Sequence, residues 1–364
     1  MRHLISTLII AATLAPQSTP AEPSNSTWSP QAAARYLDDR ASWWMSWPAA
    51  ARDHDTFCIS CHTSFPYALA RPALRGPLGE KSPSPNEQKL FDNVLQRVRM
   101  WQEVEPAYPD QTRGLPKTSE SRGTESILNA LILVWRDAPA RTLSADTRLA
   151  LNNMWALQMK TPDMKGAWAW LQFHNAPWEG NSQYWGATLA ALAVGTAPGN
   201  YQSEPEIQPN AKLLREYLVA GIDRQTPFDH LSLLWASAKL ANLLTPAQRD
   251  RIVDEIVAHQ RDDGGFSLST LVGPWKRRDN TPLDAASDGY ATGLIAYVFE
   301  QLGEPRTQPA LRKAITWLSR NQSATDGRWP ASSLNKQRDP ATDAARFMSD
   351  AATAYAVMAL AGAK

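Results

Sequence analysis

From about residue 86 to the end of this 364-residue chain, helix-period segments of two kinds alternate. One kind is amphipathic. In 307–321, Thr307 and Pro309 give a start signal, and Leu311, Ala314, Ile315 and Leu318 share one face. Thr245-Pro246 opens another such helix, with Ile252, Val253, Ile256 and Val257 turned inward. The other kind is alanine-rich and apolar nearly all round, at 126–135, 184–194, 231–243, 290–302 and 351–361. A helix with no polar face has to be covered on most sides, so these must form an inner layer beneath the amphipathic ones. A small hydroxyl residue near each inner start (Ser126, Thr188, Ser232, Thr292, Thr353) puts them in register, at separations of 62, 44, 60 and 61 residues by subtraction. A repeat of about 50–60 residues with one outer and one inner helix describes stacked helix pairs. The expected fold is all-α, with about five to six pairs forming either an open solenoid or a closed ring.

The only two cysteines stand at Cys58 and Cys61, and His62 follows at once. Two thiols separated by two residues can bond the two vinyl groups of a porphyrin while the adjacent imidazole binds the iron, the pattern of covalent c-type haem attachment. Haem c is the expected cofactor, with Cys58 and Cys61 as thioethers and His62 as the axial metal ligand. Three other readings stand beside it. A thioredoxin-like pair would need a βαβ setting, which the surrounding pattern lacks. A zinc site could recruit His54, Cys58, Cys61 and His62, although four ligands within nine residues is tight for zinc. The cysteines could also form a local disulfide or stay as idle thiols. For a sixth iron ligand, Met45, Met100, His54 and His174 are candidates, as is an open position.

The first 21 residues read as a secretory signal peptide: Arg2 supplies charge, 4–14 is a short apolar run, and Ala15 and Ala21 mark cleavage points. The run is too short to span a bilayer, and nothing later is long and apolar enough to do so. The expected location is therefore periplasmic or secreted, in keeping with haem attachment outside the cytoplasm. Net charge is +1. Removal of Arg2 with the leader would bring it to zero, so no basic field points to nucleic acid or a membrane surface.

The loops that follow outer helices carry a second pattern. Gln158 precedes Gly166-Ala167-Trp168; Gln260 precedes Asp262-Asp263-Gly264-Gly265-Phe266; Gln322 precedes Asp326-Gly327-Arg328-Trp329. A glutamine amide can bond exposed backbone at a helix end while the aromatic ring seals the turn. This resembles the glutamine–tryptophan repeat of the terpenoid cyclase and protein prenyltransferase superfamily, the squalene cyclase-like group. Ser287-Asp288-Gly289-Tyr290-Ala291-Thr292-Gly293 is similar to its inner-helix openings. The resemblance covers about 86–364 and implies an α/α toroid. It does not carry the usual catalytic residues: an Asp-x-Asp-Asp acid motif, a zinc-ligating cysteine in the toroid and a thioester cysteine are all missing. Asp262-Asp263 reads as turn chemistry.

Residues 22–85 differ in character, being rich in Pro, Ser and Ala with helices expected at 30–47 and 67–74. They are too few for a separate cytochrome domain and read as an arm that carries the haem motif onto the toroid. Trp43, Trp44 and Trp47 would shield the porphyrin or dock the arm. Among the 15 tryptophans, Trp168, Trp170, Trp178 and Trp185 crowd with His174, Glu179 and Tyr184 into eighteen residues. They could line a toroid mouth that takes a small apolar or sugar ligand, with His174 and Glu179 as candidate catalytic groups, or they could be core. Asp284, Asp288, Asp339, Asp343 and Asp350 precede inner helices, where capping alone explains carboxylates. Lys276-Arg277-Arg278 reads as a solvated loop, with phosphate or carboxylate binding as the alternative. Three functions remain open: an exported haem protein acting as an oxidoreductase or serving a redox partner protein, a toroid enzyme acting on an isoprenoid or polysaccharide, and a binding module without chemistry.

Overall fold

The computed structural model describes residues 28–173, 175, 176, 179 and 182–362. The proposed leader at 1–21 lies outside the described residues, as do His174 and Trp178. Among the described residues the regular structure is helical, and the sole β feature is one isolated antiparallel bridge between Ala51 and Phe57. Twelve helices run seven residues or longer: α1 (Pro30–Ser46), α2 (Ser64–Ala70), α3 (Pro85–Arg99), α4 (Lys117–Asp137), α5 (Ala145–Ala156), α6 (Ser182–Thr196), α7 (Gln208–Gly221), α8 (Pro227–Ser237), α9 (Pro246–Ala258), α10 (Gly289–Gln301), α11 (Pro309–Arg320) and α12 (Phe347–Ala361). Hydroxyl caps start several of them. Ser84 and Glu87 form a capping box on α3, and Thr245 and Gln248 form one on α9.

The even-numbered helices are the buried ones. Most of α6 is buried, and in α10 and α12 nearly every residue is, as expected for helices without a polar face. Their contacts run in a cyclic order: α4 on α6, α6 on α8, α8 on α10, α10 on α12, α12 on α2, and α2 back on α4. The odd-numbered helices lie outside them. Helices α1 and α2 therefore hold an outer and an inner place in the same order as the repeats, packing against α3, α4 and α12. This place in the order is not legible in the repeat pattern, because α2 spans only seven residues and contains Pro66.

The glutamine loops are built alike. Nε2 of Gln158 donates to Gly166 O in its own loop and to Asn210 O at the start of α7. Gln260 does the same to Gly264 O and to Ala310 O in α11, and Gln322 to Gly327 O and to Ser29 O just before α1. Each amide thus ties the end of one outer helix to the beginning of the next. The loop glycines are required. Gly264 and Gly327 have φ of +88° and +79°, and a Cβ on Gly327 would lie 2.5 Å from the Ala32 backbone of α1. The aromatic member is buried: Trp168 donates to Met154 O at 2.6 Å and Trp329 to Leu318 O at 2.8 Å. Inner-helix hydroxyls meet the same loops, Thr292 Oγ1 accepting from Phe266 N and Thr353 Oγ1 from Trp329 N. Asp263 accepts from Gly265 N, Ser287 Oγ and Trp317 Nε1, which is turn chemistry as expected.

Candidate functional site

The segment Cys58–His62 lies between α1 and α2, and short-range bonds hold it. Cys58 N donates to Ala50 O, while the side chain of Asn93 accepts from Phe57 N and donates to Phe57 O. The hydroxyl of Ser60 accepts from Thr63 N and Ser64 N, capping the start of α2. Trp44 Nε1 donates to Cys58 O at 2.8 Å. Both cysteines are free thiols, so the local-disulfide reading has no bond behind it.

Cys58, Cys61 and His62 all line one cavity of about 270 Å³, near the lower end of the usual range for ligand pockets. Its wall also includes Trp44, Trp170, Trp185, Tyr290, Arg338 and Met348. Trp170 and Trp185 meet edge to face at 5.3 Å between centroids. Trp168 and Tyr184, from the same aromatic stretch, are core residues, and the Tyr184 hydroxyl donates to Leu218 O. Trp44 alone of its cluster reaches the cavity. Trp43 and Trp47 stack on one another at 5.1 Å and pack against Phe347.

His62 is fixed from three sides. Phe347 stacks on its face at 4.0 Å, Trp44 meets it edge-on at 5.5 Å, and Nδ1 is 3.1 Å from Thr63 Oγ1. Burial, with help from the Arg40 and Arg338 charges, lowers its pKa to about 3, so the ring is neutral at ordinary pH. Burial, and then the negative charge of Glu179, pushes the Cys61 thiol up to about 12; burial also raises that of Cys58.

A buried polar chain decides which imidazole nitrogen is free. Thr63 Oγ1 donates to Asp350 Oδ2 at 2.7 Å. Asp350 is 2 % exposed, and its Oδ1 accepts from Arg40 Nε and Tyr36 OH, both at 2.8 Å. Burial raises the Asp350 pKa, while Arg40, ion-paired with its Oδ1 at 2.8 Å, opposes the rise. A carboxylate only accepts, so the single Thr63 proton goes to Asp350. Thr63 must then accept from His62 Nδ1–H, which leaves the Nε2 lone pair available to a metal. Asp350 was expected to do no more than cap α12; it is instead the centre of this cluster. The sequence missed the chain because its members come from positions 36, 40, 62, 63 and 350.

The remaining candidates are dispersed. Glu179 lines the cavity, and its Oε2 accepts from Phe173 N and Asn175 N. His54 is exposed, with Nδ1 on Asp53, and does not line the cavity. Met45 borders a different depression, and Met100 caps the end of α3. Met348, at the start of α12, is the sole methionine lining the His62 cavity among the described residues. No group of three or more His, Cys, Asp or Glu side chains is gathered as a metal site among the described residues, which leaves the His54–Cys58–Cys61–His62 zinc reading without a cluster. No helix of the described residues is long and apolar enough to cross a membrane. Asp288 caps α10 through Ala291 N and also accepts from Leu268 N; Asp339 accepts from Ala341 N, and Asp343 pairs with Arg40. Arg277, expected in a solvated loop, is 8 % exposed and donates to Ser333 O and Pro282 O, while Lys276 and Arg278 beside it are exposed.

No protein-family model matches the chain, and no curated protein matches it.

Proposed function

We propose that this chain is an exported c-type haem protein built on a squalene cyclase-like α/α toroid, acting in electron transfer or as a small oxidoreductase. One observation carries the reading: both thiols and the imidazole of Cys58–His62 face a single aromatic cavity, with His62 Nε2 left free by the Thr63–Asp350 chain. The toroid part is supported by the cyclic order of the inner helices and by the three equivalent glutamine loops.

The donor set fits the group. Two free thiols, a neutral imidazole and a wall of indole rings suit a flat apolar macrocycle. Haem, when bound, supplies one-electron redox chemistry at iron. The protein residues have separate tasks. Cys58 and Cys61 would anchor the group, and His62 would bind the metal through Nε2. Thr63 and Asp350 hold the tautomer, and Phe347 and Trp44 fix the plane of the ring. Met348 offers a thioether in the same cavity.

The test is a pyridine haemochrome spectrum of protein exported in a host with complete cytochrome c maturation machinery. A covalent haem band that disappears in Cys58→Ser/Cys61→Ser is expected. Absence of the band in the wild-type protein would sink the reading.

A further inference from the structure

A second, larger cavity of about 470 Å³ adjoins the His62 cavity and shares Ser333, Leu334 and Arg338 with it. Its charge is one-sided. Arg277, Arg328, Lys336, Arg338 and Arg346 line it against only two carboxylates, Asp284 and Asp288. Arg328 is paired with Asp326 at 3.0 Å. The other four cations have no carboxylate within 4.0 Å among the described residues.

Two acids do not balance five cations. Both oxygens of Asp288 are engaged by backbone N–H groups, and burial raises its pKa to about 7, so it is only partly charged at neutral pH. Asp284 accepts from Ala286 N and Ser332 Oγ. Arg277 is the informative cation. It is buried, two of its nitrogens donate only to carbonyls, and a buried charge is costly unless an opposite charge meets it. Nε of Arg346, also in the wall, is buried without a partner. A planar guanidinium fork matches carboxylate and phosphate geometry.

We propose that this chamber binds a small dianion of the carboxylate or phosphate class and holds it beside the His62 cavity, with Arg277 and Arg338 as its principal partners. Binding of the anion does not depend on haem. The position of Arg338 in both walls sets the bound anion beside the His62 cavity.

Isothermal titration calorimetry at fixed ionic strength, with succinate and inorganic phosphate as probes and neutral succinamide as control, tests this. It uses the full chain both haem-free (Cys58→Ser/Cys61→Ser) and after export with maturation. Saturable one-to-one binding of at least one dianion to both forms, and none of succinamide, is expected. Arg338→Gln should weaken it about tenfold or more. Arg277→Gln should do likewise; Arg338, being half-exposed, keeps the test decisive if that variant does not fold. Three results overturn the proposal: no saturable binding to either form, binding unchanged in Arg338→Gln, or binding to the haem-free form alone. In the last case the cations serve the carboxylates of the haem itself. If export yields no haem, the haem reading has failed by its own spectrum, and the haem-free titration decides the anion site alone.

Discussion

Gln322 and Ser29, 293 residues apart, exchange two hydrogen bonds: Ser29 N donates to Gln322 Oε1 at 2.6 Å, and Gln322 Nε2 donates to Ser29 O at 3.1 Å. The same amide also donates to Gly327 O. It joins the last outer helix to the first, as Gln260 joins α9 to α11 and Gln158 joins α5 to α7. The cyclic order of the helices is therefore secured by a bond that also occurs between sequence neighbours.

That geometry sets the stability of the closure. Gln322→Ala removes three partly buried bonds, each contributing about 1 kcal/mol net, so a loss of about 2–3 kcal/mol is expected in urea unfolding. Gly327→Ala should cost more than Gly303→Ala. Both positions have positive φ, which costs an alanine about 1–2 kcal/mol, but only Gly327 has backbone in the way of a Cβ. Equal losses at the two glycines would show that α1 does not press on the Gly327 loop.

In the haem-loaded protein proposed above, Thr63 should tune the potential without being needed for haem attachment. Thr63→Val removes the acceptor of His62 Nδ1–H and makes the imidazole a poorer electron donor. The expected change is a rise in midpoint potential, about 40 mV for about 1 kcal/mol in a one-electron couple. Thr63→Ser keeps the hydroxyl and should retain the wild-type potential. Potentiometric titration of the three proteins checks this, and equal potentials for Val and Thr would remove Thr63 from the site.

Met348 and Met45 make a further pair. Only Met348 shares the cavity with His62. If haem occupies the cavity as proposed, Met348→Ala would remove the thioether offered there, and carbon monoxide should bind the ferrous protein faster than in the wild type. Met45→Ala should leave the rate unchanged. Stopped-flow absorption measures both, and an effect of Met45 alone would reverse the assignment.

The helical class, the two helix layers and the glutamine loops were legible because they rest on short-range patterns: a 3.6-residue period, an inner hydroxyl and a Gln-to-Gly spacing. Cys58–His62 was legible for the same reason. What the sequence could not give is what the cyclic order brings together. Thr63 and Arg40 meet Asp350, and Phe347 meets His62, across some 285 residues or more. Arg277 shows the opposite failure. Its neighbours Lys276 and Arg278 are exposed, so the run looks solvated, and only the Ser333 and Pro282 carbonyls reveal that its middle member turns inward.

Asp229, in the first turn of α8, gives a prediction about pH that is independent of the His62 cavity. It is 1 % exposed; Oδ2 accepts from Thr226 Oγ1, and Oδ1 has no partner. Burial raises its pKa to about 6, with the Thr226 bonds and the adjacent His230 opposing the rise. Its folded-state pKa thus exceeds the unfolded value of about 3.9, and between these two values the folded protein holds a proton that the unfolded chain has lost. Stability from this group is therefore complete below about pH 4 and falls as pH rises through 6. Asp229→Asn cannot ionise, and it should abolish that decline. The variant is expected to be more stable than wild type above pH 6 by about 2–3 kcal/mol and to differ least near pH 4. Urea denaturation at a series of pH values checks the sign. A wild-type advantage that grows with pH would mean that the Asp229 carboxylate is solvated or paired in the folded protein.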